Sequence, residues 1–291
     1  MKKMNIFCFG FGQVAKTFVK KIISENIEVK LNVTSREESK KKKFENINYQ
    51  SFQFNENNFD QSLIEELEKS DHILISIAPI SGVDIVIKNL SSYIKKDKYK
   101  WITYLSATSV YGDHNGEWVD EESKTEPTSL NGIERLNAEK SWLSQADKEE
   151  LPVQIFRLSG IYSNQNNILF RLKSGKVKII KKKNHFFSRI HLEDIADILF
   201  KSLTNFRSKE IYNISDDRPA SSEEVTLYGV KLLGIDKPMV IEVDSIESEM
   251  LKNFYKDSKK VSNKKIKKTL NYEMKYPSYI EGLNNIRDHL I

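Results

Sequence analysis

Along the first 165 residues, runs of apolar residues alternate with stretches in which apolar side chains recur every three or four positions. Met4–Phe9 reads as a buried strand, followed by a glycine turn and a helix through about Ser24. Glu28–Thr34 reads as a second strand, and a polar, lysine-rich segment leads to a third at Ile47–Phe54. Phe59–Lys69 has helical spacing through Leu63, Ile64 and Leu67, and His72–Ala78 is a continuous apolar strand. Val83–Ile94 is amphipathic, Trp101–Ser106 is the next strand, Ser129–Ala146 is helical and Pro152–Leu158 is again a strand.

Apolar strands separated by helices predict an α/β protein whose parallel sheet is covered on both faces, in doubly wound order. After Tyr162 the rhythm changes to polar loops, a helix at Leu192–Leu203, a strand at Ile211–Ile214 and a helix at Glu223–Leu233. The expected division is a sheet domain over residues 1–165 and a smaller, mixed C-terminal lobe over 166–291. Part of the segment near 210–215 is expected to return to the sheet.

Composition narrows the class. The 291 residues, 39% hydrophobic and 30% charged, are enough for about two domains or one large α/β domain with an extension. No uninterrupted apolar run approaches the roughly 20 residues that span a bilayer, so no membrane partner is expected. The N-terminal segment superficially mimics a signal peptide, but Gly10, Gly12 and Gln13 break its apolar stretch and no A-x-A site precedes Lys16. Cys8 is the only cysteine, which excludes an intramolecular disulfide and a thiolate zinc site and fits a reducing cytoplasm. The net charge of +5, from 46 basic and 41 acidic residues, is far from that of a dedicated nucleic-acid binder. The lysine runs at Lys40–Lys43, Lys181–Lys183 and Lys264–Lys268 lack interleaved aromatics and read as solvated faces.

The first chemical signal is Gly10-Phe11-Gly12-Gln13-Val14-Ala15, a G-x-G-x-x-A turn between a strand and a helix. The first glycine permits the tight turn, the second removes a side chain from the path of a pyrophosphate, and Ala15 lets helix and strand pack closely. Backbone N–H groups at the helix start then hold the anion. This is the pattern of a Rossmann-type dinucleotide site. An NAD site usually offers Asp or Glu at the end of the second strand, whereas this chain reads Asn32-Val33-Thr34-Ser35-Arg36. Hydroxyls and a guanidinium suit a 2′-phosphate, so NADP is expected in preference to NAD, with Arg36 facing water as the alternative.

Several segments together resemble the extended short-chain dehydrogenase/reductases of the NAD(P)-dependent epimerase/dehydratase group. Beside the glycine turn they are Leu105-Ser106-Ala107-Thr108-Ser109-Val110-Tyr111-Gly112-Asp113, Phe156–Tyr162, Ser188–Ala196, Tyr212-Asn213-Ile214, Lys259–Ile266 and Tyr276–Leu283. They span essentially the whole chain in the family's order. The resemblance implies a lobe that receives substrate, and a cofactor site completed by Ala78, Pro79, Ser106 and Arg135. It also implies hydride chemistry, with a Tyr acid/base assisted by a Lys and a Ser or Thr. With Glu139 as anchor, the Tyr position falls on Asn131 and the Lys position on Arg135. The usual Ser falls on Ala107, so all three depart from the family pattern, as in its atypical members. Asn cannot titrate and Arg cannot deprotonate.

Tyr111, Ser106 and Thr108 are the remaining catalytic candidates, although packing the turn after the strand is an alternative role for Tyr111. His114, Arg157, Arg189 and His191 are candidates for substrate binding, with salt bridging the alternative for the arginines and structural hydrogen bonding that for His191. Asp113 and Glu117 are candidate paired carboxylates, and Asp120-Glu121-Glu122 reads as an acidic, water-facing loop. The five histidines show no metal-ligand spacing, and no metal is expected. Two readings stand. One is an NADP-dependent oxidoreductase or epimerase acting on a small polar carbonyl or sugar-nucleotide-type substrate. The other is a nucleotide-occupied sensor or scaffold without hydride chemistry. A homodimer through Ser129–Ala146 follows from the resemblance alone.

Overall fold

The computed structural model describes residues 3–289. The chain divides into two compact units that interleave along the sequence. The first holds the residues up to Ala107 together with Ile133–Arg157 and Ile195–Tyr212; the second holds Thr108–Gly132, Leu158–Asp194 and the residues from Asn213 onward.

The sheet is built from β1 (Lys3–Phe9), β2 (Glu28–Ser35), β3 (Lys40–Phe44), β4 (Ile47–Gln53), β5 (His72–Ile75), β6 (Trp101–Ala107) and the strands Val153–Leu158 and Ile211–Ile214. Their order is Ile211–Ile214, Val153–Leu158, β6, β5, β1, β2, β4, β3. β1 pairs in parallel with both β2 and β5, so the strand order reverses beside it, and a crevice opens at the carboxyl ends of such strands. This is the Rossmann arrangement. Helices α1 (Gln13–Ser24), α2 (Leu63–Glu68), α3 (Ile85–Leu90) and α4 (Leu130–Glu149) connect the strands.

Phe7, Phe9, Ile73, Ile75, Ile102, Tyr104, Val153 and Ile155 form one apolar core with Trp142 of α4. Asp84 holds two elements of this core in place. Its Oδ1 accepts the N–H groups of Val86 and Ile87 at the start of α3, and its Oδ2 accepts the Trp142 indole N–H at 3.0 Å.

Two sequence expectations change here. The lysine-rich segment before the third predicted strand is itself a strand, β3, antiparallel to β4 at the sheet edge. An edge strand has one unpaired flank in water, so it needs no apolar alternation, and its lysines discourage pairing with another chain. The predicted strand His72–Ala78 ends at Ile75, because the Ser76 hydroxyl turns back to the carbonyls of Phe9 and Gly10 at 3.0 and 3.1 Å.

The second unit contains three short parallel pairs: Trp118–Val119 with Lys260–Val261, Gly160–Tyr162 with Arg189–His191, and Ile179–Lys181 with Val240–Glu242. Its main apolar cluster joins Tyr162, Leu169, Leu172, Val225, Leu283 and Ile286. The helix predicted at Glu223–Leu233 runs from Ser222 to Leu233, capped by the Ser221 hydroxyl and ended by Gly234 in the left-handed conformation.

Candidate active site

The glycine turn closes between β1 and α1. Gly10 sits at φ +85°, and a Cβ there would lie 2.7 Å from Ile77 Cγ2 and 2.9 Å from Ser76 Oγ, so only glycine fits. Its N–H donates to Thr34 Oγ1 at 2.9 Å, which ties the turn to the end of β2. Gly12 is different: its φ of −82° suits any residue, and a Cβ would meet nothing within 4 Å. Its backbone therefore lies open where α1 begins, and no side chain caps the helix. Gln13 is exposed beside it, while Val14 and Ala15 are buried and pack the helix onto the sheet. An exposed glycine at an uncapped helix N-terminus fits the approach of a dinucleotide's pyrophosphate.

At the end of β2, Thr34 is buried and its hydroxyl is engaged by the Gly10 N–H. Through that bond Thr34 positions the turn. Ser35 Oγ accepts from Ser51 Oγ at 3.1 Å. Arg36 is exposed. The neighbouring carboxylate, Glu37, pairs instead with Lys40 and Lys42 at 2.8 and 3.0 Å, and those ammoniums hold its pKa down to about 2. Ala78 and Pro79 follow β5, the first exposed and the second buried.

Near the end of β6, Ser106 is buried and its Oγ has no hydrogen-bond partner among the described residues. Ala107 and Thr108 beyond it are half-buried. On α4, Asn131 is exposed, whereas the Arg135 guanidinium donates to the Leu105 carbonyl and so fixes a cation beside the strand end. One turn further on, Glu139 holds Arg157. Nη2 lies 2.7 Å from Oε2, Nε lies 3.1 and 3.2 Å from the two carboxylate oxygens, and both residues are buried. Arg157 is thus a structural ion pair and not a free holder of substrate, because a buried guanidinium requires a fixed counter-charge.

In the second unit, Tyr111 is fully buried and its hydroxyl donates to Asn213 Oδ1 at 2.8 Å. The acid/base expectation for Tyr111 is therefore corrected to that of a packing and hydrogen-bonding residue. Glu121 also departs from the water-facing reading. It is half-buried, it accepts the Asn213 N–H at 2.7 Å, and desolvation pushes its carboxyl pKa up. His114 Nε2 lies 3.2 Å from the carbonyls of Tyr111 and Lys124. Asp113 Oδ1 accepts the N–H groups of Asn115 and Ser258, so it ties loops together, while Glu117 is exposed.

Arg189 is half-buried and donates through Nη1 to the carbonyls of Phe187 and Ala220 at 3.1 and 2.9 Å. His191 is buried between Tyr276 and Tyr162, with ring centroids 4.1 and 5.0 Å away. Its Nδ1 accepts the Glu193 N–H at 3.2 Å, which places the proton on Nε2, and burial lowers its pKa to about 4. Nε2 has no partner among the described residues. Asp216 escaped sequence reasoning altogether, since nothing in its local pattern marks a carboxyl that is 1% exposed with Oδ2 unpartnered. Among the described residues, no group of three or more His, Cys, Asp or Glu side chains can hold a metal ion. No helix there is long and apolar enough to cross a membrane.

Residues 10–215 match the NAD dependent epimerase/dehydratase family. No curated protein matches the chain. Among solved structures, a functionally unknown conserved protein from Silicibacter pomeroyi is 30% identical, with a TM-score of 0.87 over 98% of this chain and 99% of its own. The dTDP-glucose 4,6-dehydratase of Bacillus anthracis in complex with NAD is 19% identical, with a TM-score of 0.77 over 98% of this chain and 96% of its own. The UDP-glucuronic acid 4-epimerase of Bacillus cereus in complex with UDP-glucuronic acid and NAD is 16% identical, with a TM-score of 0.78 over 99% of this chain and 100% of its own.

Proposed function

The chain belongs to the NAD dependent epimerase/dehydratase family, and from that premise we propose that it is an NADP-preferring oxidoreductase or epimerase acting on a small polar carbonyl or sugar-nucleotide-type substrate. The observation that carries this reading is the open Gly12 backbone at the uncapped start of α1, held in place by the Gly10–Thr34 hydrogen bond. Gly10, Gly12, Gln13, Val14 and Ala15 form the pyrophosphate cradle, Arg36 meets the 2′-phosphate, and Ala78 and Pro79 border the nucleotide. Similar folds are found with NAD and with a sugar nucleotide bound, which supports the substrate class. The bound dinucleotide supplies the hydride donor or acceptor.

This chain's own residues orient and bind. Arg135, anchored on the Leu105 carbonyl, supplies the positive charge that a lysine gives elsewhere, without being able to share a proton. The Ser106 hydroxyl, buried and without a partner among the described residues, is the group that hydrogen-bonds a reacting oxygen in this reading, with Thr108 two residues on. In the lobe, His114, Arg189 and His191 remain the substrate contacts of this reading. The buried thiol of Cys8 accords with a cytoplasmic location, and the exposed Leu130 and Ile133 on α4 accord with a homodimer through that helix.

A second reading, an NADP-bound sensor or scaffold, is favoured by the exposed Asn131 and by Ala107 at positions where the family places its acid/base and its hydroxyl. Calorimetric titration with NADP+, NADPH, NAD+ and NADH tests both. Selective binding of NADP(H) followed by carbonyl-dependent oxidation of NADPH supports the enzyme. Binding without turnover on any carbonyl or sugar nucleotide supports the sensor, and no binding overturns both.

A further inference from the structure

The second unit contains a cleft of about 800 Å³, within the size range of small-molecule sites. Its floor is apolar: Val119 and Val261 face each other in register on the pair Trp118–Val119 and Lys260–Val261 and are almost wholly buried. Its rim carries the indole of Trp118, 54% exposed. The Lys260 ammonium lies 5.9 Å from that ring, so the indole face already attracts a cation.

The polar wall is nearly saturated. Asn263 Nδ2 donates to the Ser215 carbonyl and to Asp217 Oδ1, both at 2.8 Å. Lys267 closes on Asp217 at 2.8 and 2.9 Å. Asp216 breaks the pattern. Its Oδ1 accepts the Arg218 N–H at 3.2 Å, yet its Oδ2 has no partner among the described residues. Buried acceptors are normally satisfied, and one left open where a residue lines a cleft marks the place a ligand's donor completes. Burial also raises the carboxyl's pKa strongly, with the nearby Arg189 opposing that rise, so the carboxyl favours its neutral form on its own and a cationic donor beside it would favour ionisation.

We propose that this cleft is a small-molecule site for a ligand that presents a cationic N–H donor on a flat aromatic body, the donor meeting Asp216 Oδ2 and the flat face resting on Trp118. The site stands independently of the reading given above for the dinucleotide.

Tryptophan fluorescence tests it directly. The chain has three tryptophans, and Trp101 and Trp142 are fully buried, so exposure-dependent changes in emission report on Trp118. Benzamidine, an aromatic amidine, is expected to change that emission saturably, while benzoate, of the same shape but without the donor, leaves it unchanged. Asp216→Asn is expected to weaken benzamidine at least fivefold. Because substitution at a buried carboxyl can perturb folding, Trp118→Ala provides a second arm: it removes an exposed side chain, and calorimetry should show the same loss of benzamidine affinity in a protein with unaltered circular dichroism. Equal responses to benzamidine and benzoate, no response to either, or full benzamidine affinity in Trp118→Ala would overturn the assignment.

Discussion

The hydroxyl of Thr34 accepts the backbone N–H of Gly10 at 2.9 Å, joining the end of β2 to the turn that follows β1. Thr34 is buried and Gly10 half-buried, so the Gly10 N–H has no ready substitute partner beside it. Thr34→Val keeps the shape and removes the acceptor. It should cost about 1–3 kcal/mol in chemical denaturation and weaken dinucleotide affinity, because an unsatisfied N–H loosens the turn.

The two glycines of the turn should separate folding from binding. Gly12→Val should fold normally, since its φ is ordinary and its Cβ direction is open, yet should lose dinucleotide binding in calorimetry as the new side chain occupies the pyrophosphate's approach. Gly10→Ala should lower thermal stability, because it meets Ile77 and Ser76 at φ +85°. Unchanged affinity in Gly12→Val would remove the cofactor assignment.

Arg36 tests the cofactor preference. As an exposed side chain, its replacement in Arg36→Asp should change stability by no more than about 0.5 kcal/mol. Affinity for NADP should fall more than affinity for NAD. An equal loss of both would eliminate the 2′-phosphate role.

The Glu139–Arg157 pair is expected to behave as a buried unit. Glu139→Gln alone should destabilise the protein by roughly 3–5 kcal/mol, since it leaves a buried guanidinium without its counter-charge. The double replacement Glu139→Leu with Arg157→Met should recover most of that loss in urea denaturation. Additive losses in the double variant would contradict the coupling.

His191 and His185 give the stability a defined pH dependence. Burial holds both near pKa 4, against an ordinary value of 6.5, so the unfolded chain binds more protons between those two pH values. Their contribution is complete above about pH 6.5 and is lost as the pH falls toward 4, by roughly 3 kcal/mol for each. His191→Gln should reduce the slope of stability against pH in this window, and an unchanged slope would show that His191 does not titrate as its burial requires.

What the sequence determined by itself is local. The alternation of apolar runs and helical spacings specifies a parallel α/β sheet, because a strand covered on both faces and a helix covered on one leave different periods in the chain. Gly10 and Gly12 were legible for the same reason, since a positive φ and an open backbone restrict residue type at the position itself. Tertiary structure decided which chemistry remained free. Arg157 and Arg36 are the same residue type, yet Arg157 is claimed by Glu139 and Arg36 faces water. Tyr111 is claimed by Asn213, 102 residues away, and Thr34 by Gly10, 24 residues away. Lys40–Phe44 becomes a strand only because β4 lies beside it. A hydrogen bond or ion pair depends on where two groups meet in space, and separations of that length leave no periodic trace in the chain.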